Sequence, residues 1–146
     1  MSVKYEAGSI TTIASTELNS LANGSAALGA EYDNATNLYM WATFELNVTH
    51  ASNPTADAPY DLYLIPAPDG TNYDDNTTGA SYLVPADCYV GSFTARATTS
   101  AQKRPLGIGR QIAIPPLKFK PFLVNRSGQA FPASGSTLKM VPYRLQ

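Results

Sequence analysis

The feature that most constrains the fold of this chain is a regular alternation of side chains between Leu38 and Val48. One side of the segment is apolar and the other less so, a period of two that is typical of a β-strand with one buried face. The apolar side consists of Leu38, Met40, Ala42, Phe44, Leu46 and Val48, and the other of Tyr39, Trp41, Thr43, Glu45 and Asn47. The core residues predicted from this strand and from the next apolar run are Phe44, Leu46, Leu62 and Leu64.

Further short apolar runs, separated by turn signals, follow this strand. The first of them spans residues 60–65 and ends in a Pro-Ala-Pro-Asp-Gly turn. Later strands are predicted over residues 81–84, 88–97, 110–114, 118–125 and 137–144. Pro121 and Pro142 lie inside the last two, which predicts an edge position or a bulge for each. Short strands at this spacing, without a long helix, predict an all-β fold, an antiparallel β-sandwich with jelly-roll-like topology.

Residues 1–14 show no helical period and are predicted to be an extended N-terminal arm, which precedes a single sandwich domain over residues 15–146. The arm carries apolar side chains but no pattern strong enough to fold by itself, so we expect a partner surface to bury them. The resulting partner-contact candidates are Val3, Tyr5, Ile10 and Ile13. Residues 15–24 could form one or two helical turns, with a Ser or Thr cap and Asn23-Gly24 as the stop.

The chain is weakly charged for a protein of its size. Charged residues make up 14% of its 146 residues, against roughly 25% in typical soluble proteins. Such a surface is poorly protected against self-association, which fits a protein whose exterior is covered by partners. The sequence shows no signal-peptide core and no run of about 20 apolar residues, so we expect synthesis in a cytoplasm and no membrane span.

The charges are segregated along the sequence. All 11 acidic residues precede Cys88, whereas nine of the ten basic residues lie from Arg96 onward, the exception being Lys4. Two explanations are open: the halves interleave in one domain and neutralise each other, or the basic face of one subunit meets an acidic face elsewhere. The segment Lys118-Phe119-Lys120 interleaves basic and apolar residues as single-strand-binding sheets do. A net charge of −1 argues against nucleic-acid binding, because domains that bind nucleic acids are typically basic, so we expect no nucleic-acid partner.

The sequence has no recognisable catalytic or cofactor motif. A P-loop, a nucleophile elbow and a dinucleotide fingerprint in its strand–helix setting are missing, and one histidine with one cysteine cannot build a zinc site. No pair of carboxylates stands out as a glycosidase pair. The loop with Asp69, Asn72, Asp74 and Asp75 offers oxygen ligands for calcium, but the spacing does not match an EF-hand. We therefore expect no enzyme activity, no cofactor and no bound metal.

The remaining reactive side chains and modification motifs have ordinary explanations. His50 follows the long strand and is predicted to be a surface loop residue, and Cys88 is predicted to be a buried, inert thiol. Five Asn-x-Ser/Thr motifs are by-products of turns rich in these residues. They begin at Asn23, Asn34, Asn47, Asn76 and Asn125.

The supply of aromatic residues leaves one binding function open. Nine tyrosines and one tryptophan could line a sugar-binding surface, although tyrosine is also an ordinary strand residue with high β-propensity. The tyrosines on predicted strands or next to them are Tyr39, Tyr60, Tyr63, Tyr82 and Tyr89.

Seven segments spread over nearly the whole chain carry a resemblance to a known family. They are LNSLANG (18–24), YMWATFEL (39–46), YDLYLIP (60–66), DGTNY (69–73), YVGSF (89–93), PPLKFK (115–120) and SGSTLKMVPY (134–143). Together they resemble a family of small virion structural proteins of tailed bacteriophages, of the capsid decoration or cement type. The shared motifs are turn and strand patterns, so no functional residues can be carried over.

The resemblance implies a non-enzymatic protein on the capsid surface of the virion, where it would decorate and stabilise the shell. Its implied partners are the major capsid protein and further copies of itself in a homo-oligomer, such as a trimer on a lattice axis. The alternative is a tail or receptor-associated β-sandwich protein that binds a carbohydrate.

Overall fold

Two antiparallel β-sheets make up the computed structural model, which describes residues 2–75, 77–84 and 86–146. Sheet A contains β1 (Tyr5–Ala7), β2 (Thr11–Ala14), β5 (Trp41–Val48), β8 (Gln102–Leu106), β9 (Ile112–Ala113) and β11 (Thr137–Leu145). Sheet B contains β3 (Ser25–Leu28), β4 (Tyr32–Asp33), β6 (Pro59–Pro66), β7 (Tyr89–Thr94) and β10 (Lys118–Asn125). Single turns of 3₁₀-helix span Thr16–Leu18 and Ala86–Cys88, and the described residues contain no α-helix.

The order of the strands identifies the topology. In three places two short strands lie end to end along one side of a longer neighbour: β1 and β2 on β11, β3 and β4 on β10, and β8 and β9 on β5. With each such pair counted as one strand, eight strands run in the order 1-8-3-6 in sheet A and 2-7-4-5 in sheet B. Successive strands alternate between the sheets, except that strands 4 and 5 are neighbours in sheet B. This is the arrangement of a jelly roll, and the predicted fold class is confirmed.

Strand β5 supplies the centre of the core. Its even-numbered residues from Ala42 to Val48 point between the two sheets and are at most 2% exposed. All four predicted core residues are buried there: Phe44, Leu46, Leu62 and Leu64. Alternating burial along β5 is the direct result of the period-two sequence pattern, because successive side chains of a strand point to opposite faces.

The strand begins later than its sequence pattern predicts, at Trp41 instead of Leu38. Leu38 has a φ of 52° and is exposed, so it lies in a turn. The buried side chain of Asn34 holds this turn, since its amide donates to the carbonyl of Tyr39 at 2.9 Å and its oxygen accepts the Tyr39 N–H at 2.9 Å. A side chain distant from the pattern therefore sets where the strand starts.

Pro121 and Pro142 lie in central strands, not at the predicted edges or bulges. Each faces the interruption of a split edge strand, where a glycine N–H donates to the proline carbonyl: Gly29 to Pro121 at 2.8 Å and Gly8 to Pro142 at 2.7 Å. Because the N–H and C=O of a strand residue point to the same side, the missing proline N–H also faces the interruption. The ladder to the other neighbour therefore loses no hydrogen bond.

The N-terminal segment is extended, as predicted, but it is not separate from the sandwich. Strands β1 and β2 both pair with β11, and Ile13 is 1% exposed within the core. Ile13 therefore cannot make the predicted partner contact without leaving its own core. Val3, Tyr5 and Ile10 are exposed, and their role as partner contacts stays a prediction.

Other elements differ from the prediction in their extent. Residues 15–24 form one 3₁₀ turn, in which Glu17 instead of a Ser or Thr accepts the Ser15 N–H at 2.9 Å. Of the segment 110–114 only Ile112–Ala113 is a strand, and the described residues of 81–84 form none. Strand β8 and the four short N-terminal strands are missing from the prediction, because none of them carries a clear apolar alternation.

His50 is buried, not exposed in a loop as predicted. It is 2% exposed and continues the inward-facing alternation of β5 by one step beyond Val48. Its Nδ1 lies 2.9 Å from the Ala130 carbonyl oxygen and its Nε2 lies 2.8 Å from the Tyr60 hydroxyl. A carbonyl can only accept, so Nδ1 carries the proton and Nε2 accepts the Tyr60 hydroxyl proton. The histidine is a hydrogen-bonded part of the core.

Replacing Tyr60 with phenylalanine should lower the free energy of unfolding by about 1–3 kcal/mol, because the buried Nε2 of His50 would lose its donor. Denaturant-induced unfolding measures this change. Tyr5→Phe removes the hydroxyl of an exposed tyrosine and should change the value by less than about 0.5 kcal/mol. An unchanged unfolding midpoint in Tyr60→Phe would contradict the assigned hydrogen bond.

Three ion pairs join the acidic first part of the chain to the basic second part. They are Glu31–Lys118 at 3.3 Å, Asp61–Arg126 at 3.1 Å and Glu6–Arg144 at 2.7 Å. Interleaving of the strands brings these groups together, so neutralisation within one domain explains these contacts. The ammonium of Lys120 lies 4.5 Å from the centroid of the Tyr73 ring. The two lysines that interleave with Phe119 therefore both contact groups of their own chain.

Candidate functional site

The outer face of sheet A presents alternate residues of β5 and β11 to the solvent. Residues opposite each other on neighbouring strands lie on the same face, and the register places Tyr143 beside Trp41 and Lys139 beside Glu45. These outward residues are half-buried by one another, in contrast to the fully buried residues between them. The sheet A face is defined here by Trp41, Thr43, Glu45, Lys139, Val141 and Tyr143.

Three aromatic rings cross one end of the sheet A face. The ring centroid of Tyr143 lies 5.8 Å from that of Trp41 and 5.7 Å from that of Tyr5. The amide of Gln111 donates to the Tyr5 hydroxyl at 3.3 Å. Burial raises the pKa of Tyr143, so its hydroxyl stays neutral at physiological pH. Tryptophan and tyrosine held on rigid strands are the residues that most often carry the binding energy of protein interfaces.

The exposed apolar side chains of sheet A and of its connections are called the apolar border here. Their exposed fractions are 70% for Val3, 64% for Tyr5, 70% for Ile10, 75% for Ile108 and 45% for Leu145. Ile10 and Ile108 line a cavity of about 240 Å³ together with Val141 of the sheet A face. Gly107 has a φ of 92°, and a Cβ there would lie 3.2 Å from the Ala42 carbonyl, so this position requires glycine for the β8–β9 loop to present Ile108. Glu45 and Lys139 line the same cavity. Several exposed apolar side chains on one side of a protein mark an interaction site.

Three of the four partner-contact candidates contribute to this surface, namely Val3, Tyr5 and Ile10, whereas Ile13 does not. Sequence reasoning missed Trp41 and Ile108. The signal for Trp41 was its place on the less apolar side of the alternation, where a large aromatic residue is out of keeping with a solvated face. For Ile108 the signal was an isoleucine between two glycines, a context that presents a side chain without burying it.

The outer face of sheet B is covered by the long connection from β6 towards β7, of which the structure describes residues 67–75, 77–84 and 86–88. Tyr73, Tyr82 and Cys88 pack against a second apolar cluster on this face. The buried members of that cluster are Ala26, Tyr63, Ile65, Phe122 and Val124. Gly79 exchanges two backbone hydrogen bonds with Ala26, at 3.0 and 2.8 Å, which fixes the connection to strand β3. The two sheets thus differ: sheet B has a cover of its own chain over its outer face, and sheet A exposes its apolar border.

A polar and aromatic group of side chains lies beside this cover. The tyrosine cluster is defined here as Tyr63, Tyr82 and Tyr89 with Asp61, Ser92 and Arg126. Asp61 is 8% exposed; its Oδ2 lies 3.1 Å from Nε of Arg126, and its Oδ1 accepts the Ser92 hydroxyl. The Tyr89 hydroxyl lies 2.8 Å from Ser92 Oγ, and an Arg126 NH2 group donates to the Tyr82 hydroxyl at 3.3 Å. Partial burial opposes the charge of Arg126, but Asp61 and Tyr82 raise its pKa.

The acidic loop forms a turn with its own donors. The Asp69 carboxylate accepts the N–H groups of Thr71 and Asn72 and the side-chain amide of Asn72, at 2.7 to 2.8 Å. These bonds, those from Asn72 first, lower the pKa of Asp69 to about 2. Its contribution to loop order is therefore present above the ordinary pKa of 3.8 and is lost as the pH falls through 2. Within the described ranges, no three His, Cys, Asp or Glu side chains are grouped to hold a metal ion.

Cys88 is half-buried, not fully buried as predicted. It lies at the end of a 3₁₀ turn, where it also lines a cavity of about 350 Å³ with Tyr89 and Ile114. Burial, with a smaller effect of Asp74 and Asp87, raises the pKa of its thiol, which keeps the sulfur protonated and unreactive. Across the parts of the chain that the structure describes, no helix has the length and apolar character needed to cross a membrane.

Comparison with known proteins gives fold-level likeness alone. No protein-family model matches this chain, and no curated protein does. Among solved structures, BuGH86wt in complex with neoagarooctaose matches at 15% identity and a TM-score of 0.41, over 97% of this chain and 19% of that one. The N-terminal cellulose-binding domain of Cellulomonas fimi β-1,4-glucanase C matches at 11% identity and a TM-score of 0.29, over 94% of this chain and 76% of that one. A structure of carbohydrate-binding modules from the β-sandwich superfamily matches at 12% identity and a TM-score of 0.33, over 99% of this chain and 56% of that one. This chain therefore spans only a small part of the first structure.

Proposed function

We propose that this protein is a non-enzymatic structural component of a tailed-phage virion, which docks on the capsid shell with its sheet A face and stabilises the shell. The observation that carries the proposal is the apolar border of sheet A, in which Val3, Ile10 and Ile108 are each at least 70% exposed. The resemblance of seven sequence segments to virion structural proteins supports the setting.

The chemistry of this face fits a protein partner. The ring of Trp41 lies beside that of Tyr143. The charged residues Glu45 and Lys139 lie two rows further along the strands, beside the cavity that Ile10 and Ile108 line. An apolar and aromatic centre with a polar rim is the usual anatomy of a protein interface. Charged rim residues would contribute little affinity and mainly set the orientation, whereas the buried rings and isoleucines would carry the binding energy.

Binding of this kind stabilises a shell by mass action. A protein that binds the assembled lattice but not its separated subunits shifts the equilibrium towards the assembled state. When one copy bridges two capsid subunits, separating them also requires breaking its contacts. A homo-oligomer on a lattice axis would multiply this effect, because each copy then binds at the high effective concentration set by its neighbours.

The test is to add the purified protein to phage heads assembled without it. We expect saturable binding in sedimentation assays and release of DNA at a higher temperature from the decorated heads than from bare heads. Heads of an unrelated phage serve as the specificity control, since they also hold packaged DNA but lack the matching surface. Absence of binding to heads, or binding only to tails, would overturn the proposal.

A second candidate function is carbohydrate binding by a tail or receptor-associated protein. The observation that favours it is the tyrosine cluster on sheet B, where Tyr89 is 52% exposed beside the Asp61–Arg126 pair. The two candidate functions use opposite faces of the sandwich, so a substitution on one face should impair only the function that uses that face.

A further inference from the structure

We infer that the tyrosine cluster is a binding site for a neutral carbohydrate. The inference rests on the second candidate function above and makes it specific by naming the ligand class and the residues that bind it; it does not depend on docking to a shell. Asp61 lies on β6 of sheet B and Trp41 on β5 of sheet A, so the core of the sandwich separates the two surfaces. A copy attached to a shell by the sheet A face would therefore hold this cluster on its far side.

The hydrogen-bond directions inside the cluster follow from the chemistry of its members. The Asp61 carboxylate can only accept, so the single hydroxyl proton of Ser92 goes to it. The 2.8 Å contact between Ser92 and Tyr89 then requires that Tyr89 donates to Ser92 Oγ. These side chains form one directed chain from Tyr89 through Ser92 to Asp61, held on the adjacent strands β6 and β7.

The cluster keeps hydrogen-bonding capacity for a ligand. Arg126 has five N–H groups, of which one points to Asp61 and one to Tyr82, so three can serve another molecule. Tyr82 accepts from Arg126, so its own proton can be donated, and the oxygen of Tyr89 can accept. Donors and acceptors side by side are what adjacent hydroxyl groups of a sugar ring require, since each hydroxyl both donates and accepts.

Aromatic rings supply the apolar part of the site. The ring centroid of Tyr89 lies 5.3 Å from that of Tyr63. The ring centroid of Phe122 lies 6.0 Å from that of Tyr63 and 6.3 Å from that of Tyr82. Tyr63 and Phe122 are buried and hold the two outer rings in place, whereas Tyr89 is half exposed. An aromatic face beside a few placed polar groups is the usual composition of a small-ligand site.

The charge of the cluster selects a neutral ligand. The positive charge of Arg126 is offset by Asp61, whose buried carboxylate would repel a phosphate, a sulfate or an acidic sugar. Neutral hexose oligosaccharides fit both the hydrogen-bonding groups and the charge.

The full chain should bind neutral hexose oligosaccharides on an immobilised array and should not bind oligosaccharides of uronic acids. Calorimetry with the strongest neutral binder should show saturable binding. Tyr89→Ala should weaken it at least about tenfold, because it removes the exposed ring and the donor to Ser92. Tyr89 is an exposed residue, so this variant should fold normally. Tyr89→Phe keeps the ring and should have an intermediate affinity.

Trp41→Ala on the sheet A face is the matched control and should leave sugar binding unchanged. The inference would be overturned if no neutral oligosaccharide bound at about 1 mM. It would also be overturned if Trp41→Ala abolished binding while Tyr89→Ala did not, because the sugar would then occupy the opposite face. Neither result bears on docking to heads, which is measured separately.

Discussion

Replacing Phe44 with alanine should lower the free energy of unfolding by about 3–5 kcal/mol. Phe44 is 2% exposed at the centre of β5, between Met140 of β11 and Leu106 of β8. Truncation removes the buried ring and leaves a cavity that hydrogen-bonded strands on both sides cannot close. Domains of this size are typically stable by only about 5–15 kcal/mol, so urea-induced unfolding should show a much lower midpoint.

The neighbouring substitution Thr43→Ala is the matched control. Thr43 lies on the same strand but on the half-buried outer face, so Thr43→Ala should lower the free energy of unfolding by less than about 1 kcal/mol. Similar losses in the two variants would mean that β5 is not buried on one side only, which contradicts the sandwich as described.

Ile108→Asp should weaken binding to undecorated heads by about 30-fold or more. Ile108 is 75% exposed in the β8–β9 loop and lines the cavity beside Val141, so a docked partner would bury it. A carboxylate there would have to be desolvated on docking, and burying an unpaired polar group costs about 1–3 kcal/mol or more. A loss of about 2 kcal/mol corresponds to about 30-fold. Affinity is measured by titrating heads with labelled protein.

Leu83→Asp provides the control for added charge. Leu83 is 60% exposed and belongs to the connection that covers sheet B, on the other side of the sandwich. The same chemical change there should leave head binding within about twofold of wild type, in keeping with the small effects of most surface substitutions. If Leu83→Asp disrupted binding and Ile108→Asp did not, the docking face would be the wrong one.

The parts of the fold that could be predicted are those whose cause is local. The alternation around Phe44 is produced by the geometry of a single strand, and it correctly gives both the strand and its buried face. The start of that strand depends on Asn34, whose hydrogen bonds to Tyr39 cannot be read from an alternation. The same alternation extended by one step places His50 on the inward face, so its burial could have been predicted from the sequence.

Other features depend on neighbours that are distant in sequence. Pro121 and Pro142 are tolerated in central strands because Gly29 and Gly8, more than ninety residues earlier, interrupt the strands beside them. Ile13 is buried because its strand pairs with the C-terminal strand β11. Neither pairing has a local signal, and both became visible only with the topology.

The candidate sites were the least predictable part. The tyrosine cluster assembles side chains of β6 and β7 with Arg126, which directly follows β10, and with Tyr82 of the covering connection. Charge segregation along the chain indicated that the acidic and basic halves could meet, but not that Asp61 would pair with Arg126 beside the exposed Tyr89. On sheet A, the exposed apolar residues come from both ends of the chain and from the β8–β9 loop, a combination that only the register of the strands reveals.

The central claim, docking on a phage shell by the sheet A face, is tested most directly by electron cryomicroscopy of the virion at a resolution that shows side chains. We expect one density for this jelly roll at each occupied lattice position on the head. Trp41, Tyr143 and Ile108 should lie against the major capsid protein, and the connection that covers sheet B should point away from the shell. Density for this protein at the tail alone, or on the head with sheet B against the shell, would contradict the account.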